Sequence, residues 1–175
     1  ANLIVTNSIL NNNTAGGNGG AIYNAGNMAV TGTTFTDNAA AQGGAIYNAG
    51  NMTLTNVIVS AANGSAANDI YQSASGTTLL TGTNTIASNI AGSGSITNNG
   101  ILNISGDNSA YTGTFTQDNN GTTNVTNKFF AGESTIKNGT LNWYTENDID
   151  ANAKLTVQTG KLNIGKDASQ ESVLS

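Results

Sequence analysis

The chain has 175 residues and a formal net charge of −5, with only 9% charged residues and no Pro, Cys or His. All five basic residues are Lys, from Lys128 onward, so neither number nor placement suits a phosphate-binding surface, and nucleic acid is not an expected partner. No run of about 18 apolar residues exists to span a membrane as a helix, and without Cys no disulfide can contribute to stability.

Hydrophobic residues make up 37% of the chain and recur in register, which argues for an ordered fold over disorder. From the N-terminus, an aliphatic residue followed by Thr and then Asn or Gly opens a column: Val5-Thr6-Asn7, Val30-Thr31-Gly32, Leu54-Thr55-Asn56 and Leu80-Thr81-Gly82. A second column pairs Leu10 with Phe35. The decapeptide GGAIYNAGNM stands identically at Gly19–Met28 and Gly43–Met52, and Asp69-Ile70-Tyr71 continues it at the same spacing. After a seam at residues 84–98 the unit changes to Gly-x-x-Asn-hydrophobic, with Gly at 100, 121, 139 and 160 and Asn at 103, 124, 142 and 163. The organisation expected is one continuous solenoid: residues 1–83 in the longer coils, the seam, then residues 99–175 in the shorter ones.

Each short apolar run alternates with period 2 and ends in Gly or Asn, which predicts strands and turns rather than helices. Runs this short become stable when equivalent positions of successive coils stack about 4.8 Å apart as parallel ladders. The fold class predicted is therefore all-β, a single-domain parallel β-helix of roughly eight coils, about 38 Å long at that spacing. The general crossover preference makes it right-handed. Asn repeated at one coil position predicts side-chain amide ladders. Strand alternation places Ile22, Ile46 and Ile70 inside and stacks Tyr23, Tyr47 and Tyr71 outside as the candidate binding column. It also assigns Ala21, Ala45 and Asp69 to the wet face with the tyrosines, since an unpaired carboxylate is costly to bury.

The motifs Gly43-Gly44-Ala45-Ile46 and Phe35-Thr36-Asp37-Asn38 resemble the GGA-aliphatic and FxxN repeats of polymorphic outer membrane proteins. The segment from Ile104 to Phe115, followed by Gly121 and Asn124-Val125, is similar to the passenger-associated strand repeats of autotransporters. The resemblance implies a secreted passenger β-helix at the bacterial cell surface, with adhesion its commonest role and a longer precursor around it. A surface protein or glycan of a host or neighbouring cell is the partner it implies.

An enzyme is the rival class, because other parallel β-helices act on polysaccharides. Only Asp37 and Asp69 are acidic before Asp107, and they fall on different columns of the repeat, so no paired-carboxylate site is expected. No cofactor is expected either. Glu146, Asp148 and Asp150 would share one strand face, a weak metal candidate outweighed by a solvated face that deters edge pairing. The Gly16–Gly20 run has Ala21 where calcium-binding solenoid repeats need Asp. Thr forms a single column, not the paired rows of an ice-binding surface. The expected function is a non-enzymatic adhesin or stalk. The alternative is an extracellular filament subunit stacking head to tail through unpaired end strands.

Overall fold

The computed structural model describes residues 2–60, 68–144, 153–165 and 172–174. The described residues form a β-solenoid of about seven turns with no helix. Three strands mark each of the earlier coils. The first sheet stacks eight parallel strands in chain order, from Asn2–Thr6 through Asn27–Thr31, Asn51–Thr55 and Thr77–Thr81 to Lys154–Val157. The second stacks eight more, from Ile9–Asn11 to Lys161–Ile164, and ends in an antiparallel strand, Ser172–Leu174. The third holds four: Ile22–Asn24, Ile46–Asn48, Ile70–Gln72 and Ile90–Gly92.

The pairing register follows the columns read from the sequence. Val5 pairs with Val30, Val30 with Leu54 and Leu54 with Leu80; Leu10 pairs with Phe35; Ile22, Ile46 and Ile70 stack. Val30, Leu54 and Leu80 are buried, as are all three isoleucines. Each such side chain contributes about 1.5–3 kcal/mol by leaving water. The stack also satisfies backbone polar groups: every strand inside a sheet has a partner on both sides.

Coil length changes partway along. Asn2 pairs with Asn27, Asn27 with Asn51 and Asn51 with Thr77, at steps of 25, 24 and 26 residues. Thr77 then pairs with Ser95 and Ser95 with Thr114, at steps of 18 and 19. The first and second sheets run through this change without a break. The third side loses its ladder and continues as a bridge from Gly92 to Tyr111 and a 3.0 Å bond from Ala131 N to Tyr111 O. There the core is filled by Tyr111, Phe115, Phe129, Phe130 and Trp143, with neighbouring ring centroids 4.6–5.6 Å apart.

Buried amides move with the coil type. In the longer coils, Asn24 and Asn48 close the third-sheet strands: Asn24 Nδ2 donates to Asn48 Oδ1 at 2.7 Å, and Gly26 N donates to Asn24 Oδ1 at 3.1 Å. In the shorter coils that role passes to the first sheet. Asn98 Nδ2 donates to Gln117 Oε1 at 3.0 Å, and Gly100 N donates to Asn98 Oδ1 at 3.1 Å. Asn24, Asn48 and Asn98 thus each find partners both at their own corner and one coil away, as burial of an amide demands.

One expectation fails at the approach to the third sheet. Asp69 is only 4% exposed, Ala45 is buried and Ala21 half-buried. Ala45 N and Ile46 N both donate to Asp69 O at 2.9 Å, and Ala21 N and Ile22 N both donate to Ala45 O. Two consecutive amides aimed at one carbonyl break the period-2 alternation, so these residues do not share the tyrosine face. The isoleucine and tyrosine positions, which lie within the strands, follow the alternation as predicted.

The Asn-or-Gly column resolves into an alternation with a steric cause. Asn7, Gly32, Asn56 and Gly82 all take left-handed backbone conformations, with φ of 47°, 58°, 55° and 62°. A Cβ built at Gly82 collides with Asn56 Oδ1, and one at Gly32 collides with Asn7 Oδ1. The amide of one coil occupies the space the next coil leaves by having no side chain. Gly82→Ala should therefore destabilise the fold by more than about 1 kcal/mol, the left-handed cost alone. Gly17→Ala, where a Cβ meets nothing within 4 Å, should stay within about 0.5 kcal/mol of the parent. Thermal melts of the two variants check this; equal losses would refute the steric reading.

Candidate functional site

Two outward features lie on neighbouring sides of the solenoid. The first is the tyrosine column. Tyr23, Tyr47 and Tyr71 pair in register on the third sheet. Their rings stack with centroids 5.1 and 5.2 Å apart and interplanar angles of 4° and 7°. Tyr23 is 55% exposed, and Tyr47 and Tyr71 are half-buried. Because the faces of the rings lie against one another, the column presents ring edges and hydroxyls outward, a row of donor–acceptor groups at the coil spacing.

The second feature is an open groove of about 630 Å³ on the outer face of the first sheet, crossing five coils. One column along it is Ile4, Ala29, Thr53, Leu79 and Thr97, which pair in that order. Beside it runs an exposed polar row. Asn27 Nδ2 donates to Asn2 Oδ1 at 3.1 Å, Asn51 Nδ2 to Asn27 Oδ1 at 2.9 Å, and Thr77 Oγ1 to Asn51 Oδ1 at 2.7 Å. A smaller hollow of about 310 Å³ touches Tyr23, Ala25 and Gly26 and shares Leu3 and Asn27 with the groove. It connects the tyrosine column to the groove around the corner.

The later coils carry their own amide ladder on the second sheet. Asn124 Nδ2 donates to Asn103 Oδ1, Asn142 to Asn124 and Asn163 to Asn142, at 2.8, 2.8 and 2.7 Å. This is the ladder expected from the Gly-x-x-Asn repeat. Charge also concentrates there. Lys128–Asp107, Lys137–Asp118 and Lys154–Glu133 are solvent-exposed pairs at 3.0, 3.7 and 3.0 Å, each joining one coil to the next. Such pairs add little stability singly. Hydrogen bonds from the Ser109 hydroxyl to Asp107 and from the Asn138 amide to Asp118 lead the causes that hold both carboxyls below the ordinary aspartate range.

No family model, curated protein or solved structure matches this chain.

Among the described residues no group of three His, Cys, Asp or Glu side chains could hold a metal ion. Glu146, Asp148 and Asp150 lie outside the described residues. No helix among the described residues is long and apolar enough to cross a membrane. The structure brings Tyr23, Tyr47 and Tyr71 together as the sequence placed them. The groove was not foreseen, because its residues share no common type. Its signal is positional: Ile4, Ala29, Thr53 and Leu79 each stand one place before the Val5-Val30-Leu54-Leu80 column, so they must face outward.

The Tyr47 phenol is pushed above the ordinary tyrosine value, first by burial and then by the charges that Tyr23 and Tyr71 would carry. The folded state therefore favours the neutral phenol. Its stabilising contribution is fully present below the unfolded tyrosine value and is lost as pH rises through the raised folded value. Tyr47→Phe should accordingly lose stability less steeply than the parent above about pH 10. Melting curves across the alkaline range, read alongside phenolate absorbance, check this; parallel pH profiles would contradict it.

Proposed function

We propose that this chain is a non-enzymatic β-helical stalk with an adhesive surface, the passenger type of solenoid exposed outside a bacterial cell. The observation that carries this reading is the repetition of identical hydrogen-bonding groups at the coil spacing on an elongated scaffold. The tyrosine column and the Asn27–Asn51–Thr77 row each offer the same contact several times over. Individually weak contacts become effective when geometry lets them engage together. The resemblance of GGAI and FxxN to surface passenger repeats supports the location, and a chain without Cys suits export in unfolded form.

The filament alternative is the weaker reading. The second sheet's last parallel strand, Lys161–Ile164, is already paired with antiparallel Ser172–Leu174. A second copy adding a parallel strand there would have to displace it. The adhesive reading needs no such rearrangement.

Replacing Tyr23, Tyr47 and Tyr71 together by Ser removes the column's rings while leaving the Ile22–Ile46–Ile70 core stack in place. Attachment of the variant to cell or glycan-coated surfaces should fall by about tenfold or more, equivalent to about 1.4 kcal/mol, with an unchanged β-sheet circular dichroism spectrum. Full attachment by a folded variant would remove the column from the binding surface.

A further inference from the structure

We infer that the groove on the first sheet is a binding site for a neutral, unbranched polysaccharide lying along the solenoid axis. This rests on the adhesive reading and names the partner class for that surface. Three properties of the groove lead to it.

The first is charge. Among the described residues none that lines the groove ionises, and the ion pairs Lys128–Asp107, Lys137–Asp118 and Lys154–Glu133 all lie from Asp107 onward. A carboxylated or sulfated polymer would find no cation there to offset its desolvation, whereas a neutral one needs none.

The second is the pattern of free hydrogen-bonding capacity. An Asn amide has two N–H donors and an oxygen with two lone pairs. Asn27 and Asn51 each spend one donor on the coil before and one lone pair on the coil after. One donor and one acceptor remain on each, repeated along the row. A sugar hydroxyl both donates and accepts, so a chain of hydroxylated rings meets that repeat with matching groups. Beside the row, Thr53 and Thr97 add hydroxyls while Ile4 and Leu79 offer apolar contact for ring C–H groups.

The third is what the sheet cannot offer. The strands Asn27–Thr31, Asn51–Thr55 and Thr77–Thr81 are each paired on both sides, so their backbone groups are committed within the ladder. An extended peptide laid across them gains no main-chain hydrogen bonds, the usual source of affinity for such a ligand. Five coils span about 19 Å from first to last at the inter-strand spacing, room for a short run of sugar rings rather than a single one.

The test is isothermal titration of the whole chain with linear neutral oligosaccharides of glucose, mannose and galactose. Polygalacturonate, heparin and a neutral extended peptide are titrated in parallel. Thr53→Arg, at an outward position in mid-groove, should lower affinity for the neutral probe at least tenfold. Thr122→Arg, on the second sheet, should leave it unchanged, with circular dichroism showing both variants folded. Asn51→Asp supplies a second groove variant and should also weaken the neutral ligand. Binding of a charged polymer or the peptide in place of a neutral glycan, or equal affinity in all variants, overturns the inference. If no neutral oligosaccharide binds while the parent chain still attaches to cells, the groove assignment fails and the adhesive reading stands. Loss of both kinds of binding overturns both.

Discussion

Each position on an inner strand of the described solenoid answers to the residue one coil before it and one coil after it, because these strands pair in register along the axis. The ladder aligns Ile22 with Ile46 and Ile70, and Asn103 with Asn124 and Asn142. A side chain that suits one coil is therefore set against its own kind in the next. Aliphatic residues make a continuous interior, amides make hydrogen-bonded ladders, and tyrosines make a ring stack. The unusual composition, rich in Asn, Thr and Gly, follows from needing many corners and many self-complementary side chains.

The same constraint explains the change of coil. When the step shortens from 26 residues to 18, the first and second sheets keep their ladders, since breaking them would strand backbone donors and acceptors. The third side yields instead. Its strands stop after Ile90–Gly92, and bulky rings from Tyr111, Phe129 and Phe130 fill the space. The buried corner amide moves from Asn48 to Asn98 for the same reason: a tight turn leaves a glycine amide needing an acceptor, wherever that turn falls.

Much of this was legible in the sequence wherever a column repeats one residue type inside a strand. The Val5 column, the isoleucine stack, the tyrosine column and the Asn103 ladder could all be placed because period-2 alternation holds within short strands. Asp69 could not, because its carbonyl takes two consecutive amides and the alternation slips by one at that point. The aromatic cluster was illegible because Phe129 and Phe130 stand outside any strand, where periodicity gives no direction. The groove was hidden for a different reason. Ile4, Ala29, Thr53, Leu79 and Thr97 have in common only their place in the register, and that emerges once the neighbouring aliphatic column is aligned.

The shortening of the coil has a mechanical meaning. A chain peeled from one end of a solenoid releases one coil at a time, because each coil is bonded only to its neighbours. The early coils, with a step of 24 residues between Asn27 and Asn51, would each yield about 80 Å of extended chain at about 3.4 Å per residue. The later ones, with a step of 19 between Ser95 and Thr114, would yield about 65 Å. Under tension the molecule is a ratchet with two tooth sizes, and the change of tooth falls where the third sheet ends.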